Sequence, residues 1–515
     1  MRRAVICFRS FMVLATSFIA AGCASVDFDY PKPTSTALGD AQDTYFGKQM
    51  AAFEETRAGE SGFYLLIDGI EALAARSLMA GRAERTLDAQ YYLITNDPIG
   101  YAFLYGLLKA ADRGVRVRLL LDDIQTQGYD AGMAALDSHP NFEVRIFNPF
   151  SARGGPAGNI TEFDRVNRRM HNKSITADNQ ITIIGGRNIA AEYFAARDDV
   201  NFGDADVVCV GPVVQDVSNM FDLYWNHRAA APVPAFAEMP EDPDAALVAL
   251  RARIEEQVEG LRKSDYAEAF AASMGDVTDT HLDDFTWAPY ELVYDSPDKS
   301  DKKAAAKAAS ITKPLKASVE RANNELIIVS PYFVPLKSGV AYLTSLQERG
   351  VQVRVITNSL AANNHSVVHS GYGPSRKPLL RAGVEFYEVR PDATLSGVNR
   401  GKSGAAVATL HTKAFVVDRK ELFFGSFNWD PRSVDINTEL GVIMKSPKLA
   451  QEVAARLDAK LASQTYEVFL NENERIRWAD RRGEEEVILK KEPQTSWWRR
   501  FTVGLYRILP IKSQL

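Results

Sequence analysis

Arg113-Gly114-Val115-Arg116-Val117-Arg118-Leu119 returns in the second half of the chain as Arg349-Gly350-Val351-Gln352-Val353-Arg354-Val355. Each copy follows an apolar, helix-like stretch, Tyr101–Ala111 and Val340–Gln347. Each then alternates with the period of two that marks a strand. The glycine at each junction suits a helix C-terminus. A strand candidate precedes each helix: Leu87–Leu93, and Leu326–Val329 running into Pro331-Tyr332-Phe333. A further one follows, Phe142–Phe147 and Val384–Val389. Strand, helix, strand, helix, strand is the pattern of an α/β unit with a parallel sheet. The sequence therefore predicts two homologous α/β halves with mostly parallel central sheets. Packed about a pseudo-two-fold axis, such halves present matching loops to one shared active site.

A second repeat carries chemistry. His171-Asn172-Lys173 is followed, after a short gap, by Asp178, and His411-Thr412-Lys413 is followed after an equal gap by Asp418. Gly185 and Gly425 lie equally far beyond their histidines, and so do Asn188 and Asn428, so one offset relates every member of the two sets. With 7 histidines in the chain, a doubled motif with matched glycine and asparagine is not a chance pattern. In a strand, residues two apart share a face, which puts each lysine beside its histidine. Asp178 and Asp418, grouped with the catalytic motif, fall at a turn. They are expected to brace that turn and the lysine network rather than touch substrate.

Two lysines and two amides suit a phosphate, supplying point charges and donors for its oxygens. One neutral histidine attacks phosphorus while the other, protonated, serves the leaving alcohol. That is double displacement through a phosphohistidine, with no metal or cofactor required. Ser426 stands where the first half has Gly186, so a hydroxyl is available on one side only. Asp204 and Glu439 each precede a β run, and either can hold an imidazole in one tautomer. His365, His369 and Tyr372, with Arg376 and Lys377 nearby, read as a loop at the carboxyl end of a strand. There His369 and Tyr372 are candidates for a head-group pocket.

These paired motifs resemble the phospholipase D superfamily. The stretches Phe163-Asp164-Arg165-Val166-Asn167-Arg168-Arg169-Met170-His171-Asn172-Lys173 and Gly425-Ser426-Phe427-Asn428-Trp429-Asp430-Pro431-Arg432-Ser433 are similar to its bacterial cardiolipin synthase C-type branch. The resemblance runs from about residue 60 to the C-terminus. It implies the two-lobed fold and transfer of a phosphatidyl group between phospholipids such as phosphatidylglycerol and phosphatidylethanolamine. It also implies His171 as nucleophile and His411 as acid and base, an order the residues alone leave open. A phospholipase D hydrolase releasing phosphatidic acid is the alternative, since only the attacking alcohol or water differs. A nuclease-type phosphodiesterase and a non-catalytic lipid-binding lipoprotein rank behind both.

Composition agrees with that ranking. The chain has 515 residues, 46% hydrophobic and 24% charged, which excludes a mostly disordered protein. The net charge is -6, unlike proteins that grip nucleic acid, and no nucleic acid partner is expected. Three cysteines (Cys7, Cys23, Cys209) cannot build a disulfide framework. Arg2, Arg3 and Arg9 precede an apolar run, Phe11–Ala21, too short to span a bilayer. The run ends in Ala20-Ala21-Gly22-Cys23, which resembles a bacterial lipobox. Residues 1–22 then read as a lipoprotein signal peptide, with Cys23 lipidated. The body would face the periplasm, anchored to the inner or the outer membrane. The first half spans 23–229 (motif 165–192), and a linker with a helical insert spans 230–310, without catalytic signal. The second half spans 311–470 (motif 405–432). The tail, 471–515, mixes Trp, Phe, Leu and Arg as membrane-interfacial segments do. Nothing in the sequence requires more than a monomer or identifies a protein partner.

Overall fold

The computed structural model describes residues 26–54, 57, 59–151, 162–394, 407–509 and 514. The expected signal peptide and Cys23 lie outside them. The repeated stretches become the strands Arg116–Asp122 and Gln352–Asn358, each an interior strand of its own sheet. The first sheet has nine strands, in the order Thr286–Ala288, Ser61–Leu66, Asp206–Val210, Ile181–Gly185, Ser174–Ala177, Thr86–Tyr91, Arg116–Asp122, Phe142–Phe147, Ala230–Pro232. The second has ten and repeats this plan, with Ala414–Val417 and Glu421–Gly425 in the places of Ser174–Ala177 and Ile181–Gly185.

Both sheets are mixed rather than mostly parallel. The parallel pairings are those joined by helices, Thr86–Tyr91 through Phe142–Phe147 and Glu325–Val329 through Glu385–Val389. The motif strands pair antiparallel because a tight hairpin turn joins them, a connection open only to antiparallel neighbours. Asp178, Asn179, Asp418 and Arg419 all have φ near +50°, the backbone that the tightest hairpin turns need. Asp and Asn tolerate it more readily than most residues.

The two sheets face each other across an apolar layer. Ile184, Val207 and Cys209 of the first lobe and Leu422, Phe424 and Val442 of the second belong to one buried cluster. Helices Pro212–Trp225 and Pro447–Gln464 contribute to it from both lobes. Burial raises the Cys209 thiol far above its usual range, so this free thiol stays protonated and inert. Strands Val200–Gly203 and Val407–Leu410 pair across the lobes in a small parallel sheet.

The 230–310 segment is built into both lobes. Ala230–Pro232 and Thr286–Ala288 are the edge strands of the first sheet, and Tyr290–Tyr294 is an edge of the second. Helices Pro243–Arg262 and Tyr266–Thr278 pack on the first lobe's outer helices. Pro243 opens its helix behind Asp242, whose carboxylate caps Ala245 N–H. Of the prolines there, Pro243 marks a helix start and Pro232 closes an edge strand.

Candidate active site

Both histidines sit in extended chain just ahead of the motif strands rather than within them: Ser174–Ala177 begins after Lys173, and Ala414–Val417 after Lys413. The alternation still holds each lysine against its own histidine. Lys173 Nζ donates to the His171 carbonyl at 2.7 Å. Lys413 Nζ bonds the His411 carbonyl and lies 3.1 Å from Nε2 of the same ring.

Each imidazole is oriented by the opposite lobe. His171 Nδ1 donates to Glu439 Oε2 at 2.8 Å, and His411 Nδ1 donates to Asp204 Oδ2 at 2.5 Å. The residues just before those acids fix the backbones: His171 N–H donates to the Thr438 carbonyl at 2.9 Å and His411 N–H to the Gly203 carbonyl at 2.7 Å. Gly185 pairs with Asp206 and Gly425 with Gly441, so Asp204 and Glu439 occupy the same register place. The seam between the lobes is therefore the site itself.

The acids differ in a way that explains Ser426. Glu439 accepts from Ser426 Oγ, and from Ser433 Oγ at 2.7 Å. In the first half a Cβ on Gly186 would lie 2.3 Å from Asp204 Oδ1, so no serine fits there. Asn188 Nδ2 donates to the Tyr193 hydroxyl at 2.8 Å, and the Asn428 N–H donates to Ser433 Oγ. Both asparagine side-chain oxygens are buried without a partner among the described residues. A half-turn of either amide offers its NH₂ instead.

Asp178 and Asp418 lie at the far ends of the motif strands, roughly 16 Å from the lysines along the chain. This corrects their grouping with the catalytic set and the expectation that they brace the lysines. Asp178 accepts N–H bonds from Glu84, Arg85 and Thr86 at 2.8–3.0 Å. Asp418 does the same for Asn323, Asn324 and Glu325 at 2.8–3.0 Å. Each ties its turn to the chain entering the neighbouring central strand.

His369 and Tyr372 also depart from expectation. They lie on the helix Ser366–Arg381, not in a loop, and both are buried. Tyr372 donates to Glu388 at 3.0 Å, Arg376 bridges Glu388 and Glu492, and His369 faces Glu492. His369, Tyr372, Arg376 and Glu388 are all buried and turned toward one another, so the group is a packing network and not a head-group pocket.

Several site residues escaped the sequence reading. Tyr92 stands edge-on to His171 with ring centres 5.0 Å apart, and Lys173 Nζ lies 5.2 Å from the Tyr92 ring centre. Tyr332, at the matching place in the second repeat, approaches His411, which is also flanked by Tyr193 and Phe202. Asp122 accepts Met170 N–H at 2.8 Å, and its counterpart Asn358 accepts Leu410 N–H at 2.8 Å. Both hold the residue before a histidine. The repeat offsets alone carried the signal for Tyr92, Tyr332, Asp122 and Asn358. Asp295 and Lys299 have no such counterpart, yet Asp295 accepts Glu439 N–H at 3.0 Å and pairs with buried Lys299 at 2.9 Å.

Burial and the two lysines press both imidazoles toward the neutral form, His171 well below its usual range and His411 to about 3. Burial likewise lowers Lys173 to about 7 and Lys413 to about 8. It raises Glu439 to about 7, against the pull of Lys173. Asp204 is buried too, but His411 and Lys413 outweigh that and hold it ionised, far below the usual carboxylate range. A phosphate anion placed between the lysines would offset their repulsion of the imidazoles, leaving burial as the remaining pressure toward the neutral form.

Two α/β lobes with one His-Lys pair each, meeting at a single seam, define a phospholipase D-type enzyme. Residues 79–225 and 315–461 match the family model "Cardiolipin synthase, PLD-like domain", and the chain belongs to that family. It is 43% identical over 465 residues to cardiolipin synthase C of Escherichia coli K12, covering 88% of this chain and 96% of that one. Cardiolipin synthase A of Pseudomonas syringae is 25% identical over 77% of this chain and 67% of its own. The crystal structure of phosphatidylserine synthase from Haemophilus influenzae Rd KW20 superposes with a TM-score of 0.57 at 12% identity, covering 91% of this chain and all of that one. At that identity the likeness bears on the fold alone.

Proposed function

We propose that this protein is a phosphatidyltransferase of the cardiolipin synthase type, working through a phosphohistidine. The crossed pairing of each imidazole with the other lobe's acid is the observation that carries the reading, together with the 43% identity to a cardiolipin synthase. His171 attacks the phosphorus of a donor phospholipid. The bond from phosphorus to the head-group oxygen breaks, and that oxygen takes a proton from His411. The hydroxyl of a second phospholipid then gives its proton to His411 and attacks phosphorus, which releases His171. Lys173, Lys413, Asn188 and Asn428 hold the phosphate oxygens throughout.

The assignment of roles rests on the acids. The general acid must carry a proton, and a firm carboxylate supports the imidazolium best. Asp204 is that carboxylate, beside His411. Glu439, titrating close to neutrality, suits a nucleophile that starts neutral. Phosphatidylglycerol serves as acceptor, and phosphatidylglycerol or phosphatidylethanolamine as donor. Cys23 carries the lipid anchor, with the catalytic body on the periplasmic side. No helix among the described residues is long and apolar enough to cross a membrane.

Product analysis by mass spectrometry tests the reading. The protein is given phosphatidylglycerol and phosphatidylethanolamine in mixed micelles, beside a His171→Ala control. Cardiolipin that vanishes in the control is expected. Phosphatidic acid alone would replace the transferase with the hydrolase, and the absence of any lipid product would reject both.

A further inference from the structure

The tail forms a helix, Trp497–Tyr506, capped by Ser496, whose hydroxyl accepts Arg499 N–H. Trp497, Phe501 and Leu505 recur at helical spacing and form one stripe with Trp498. They are 59%, 52%, 53% and 69% exposed, respectively. Val503, on the opposite side, is 3% exposed and docks the helix on the body. The stripe is preorganised: Trp497 stacks on Phe501 at 5.2 Å and meets Trp498 edge-on at 4.7 Å. Ile508 and Leu509, just beyond, continue the exposed apolar surface. Two tryptophans and a phenylalanine side by side in water are not an ordinary surface.

Charge selects the occupant. From Pro493 to the end the basic residues are Arg499, Arg500, Arg507 and Lys512, with no acid, in a chain whose net charge is -6. An apolar aromatic stripe on a basic segment without acids fits the interface of an anionic lipid leaflet, with rings at head-group depth and the Arg500 guanidinium, held at Nη1 by Thr495, at the leaflet surface. The helix is also fixed to the catalytic rim. Arg499 donates to the carbonyls of Asn363 at 2.6 Å and Ala361 at 3.3 Å. The same segment continues to His365, which packs on Tyr332 beside His411. Gln514 then reaches the lobe seam, accepting from Asn167 at 2.6 Å and from Arg432 at 3.3 Å.

We propose that the C-terminal helix is an interfacial docking element that lays its Trp497–Trp498–Phe501–Leu505 face into an anionic leaflet and so presents the lobe seam to lipid. Membrane binding by this face does not depend on turnover, so the inference stands or falls apart from the proposed reaction.

The test uses the full chain with Cys23→Ser, so that no acyl anchor contributes. The probes are phosphatidylcholine vesicles with and without phosphatidylglycerol. Tryptophan emission should shift to the blue and co-sedimentation should rise only with phosphatidylglycerol, and raised salt should weaken both. The added changes Trp497→Ser, Trp498→Ser and Phe501→Ser lie on an exposed face and leave the fold intact. They should cut vesicle binding by roughly tenfold or more and leave turnover of a short-chain, micelle-free phosphatidylglycerol unchanged. Equal binding by the variant and the parent would overturn the proposal. So would a concentration-dependent dimer of the parent that the variant abolishes, since a second copy would then own the face. If short-chain turnover is absent in both while vesicle binding differs, the reaction is wrong and the docking face stands.

Discussion

Asp204→Asn separates charge from shape at the proposed general acid. Asp204 Oδ1 accepts Ala205 N–H at 2.8 Å, a bond an amide oxygen keeps. Oδ2 faces His411 Nδ1 at 2.5 Å, and there the variant places an NH₂. That group must donate to Nδ1, which moves the ring proton to Nε2 and removes the anion beside the imidazolium. A charge-assisted hydrogen bond is worth about 1.5–3 kcal/mol. At about 1.4 kcal/mol per tenfold, its loss alone lowers kcat roughly 10- to 150-fold. The wrong tautomer carries the loss toward about 10⁴-fold, as in other buried His-Asp pairs. We expect a fall in kcat between about 10² and 10⁴ with little change in KM. The assay is the initial rate of cardiolipin formation in mixed micelles, with near-ultraviolet circular dichroism as the check on folding. A folded variant within about threefold of the parent would refute the reasoning, because Asp204 would then be a packing group.

Four further outcomes are expected. Gly186→Ser should mimic Asp204→Asn in kcat, because its Cβ would lie 2.3 Å from Asp204 Oδ1, whereas Ser426→Ala, losing one bond to Glu439, should cost about tenfold or less. Asp178→Ala should lower stability by about 2–4 kcal/mol in urea unfolding, since three amides lose their acceptor, while kcat per folded molecule stays level. The lysines are charged below their lowered pKa values, about 7 for Lys173 and about 8 for Lys413, and lose that charge as pH rises through them. A pH series of kcat/KM, which reports the free enzyme, should therefore fall above about pH 7–8.

The candidate site residues His171, His411 and their lysines are legible in the sequence because they occur twice at one offset. The partnership of each histidine with the other lobe's acid was not legible. Asp204 stands farther beyond Asn188 than Glu439 does beyond Asn428, because the first lobe has the strand Val200–Gly203 after its helical turn and the second lobe has none between Arg432–Ile436 and Glu439. Only the sheet register shows the acids to be equivalent. The brevity of the motif strands hid the mixed sheets, since so short a stretch does not reveal its direction. Pro374 and Pro378 hid the helix Ser366–Arg381, which made His369 and Tyr372 look like a loop. Asp295 and Lys299 lie in the 230–310 segment, which has no copy in the other half and so gives no catalytic signal. Their burial depends on Glu439, distant in the chain.

The covalent intermediate tests the central claim most directly. The protein is mixed with phosphatidylglycerol, quenched in denaturant within the first turnover, digested, and mapped by mass spectrometry. A phosphatidyl adduct on the peptide carrying His171, absent in His171→Ala and discharged by added acceptor lipid, is the predicted result. An adduct on His411 would reverse the roles assigned to the two lobes. Cardiolipin formation without any adduct in the burst phase, with inversion at phosphorus, would contradict double displacement at this seam.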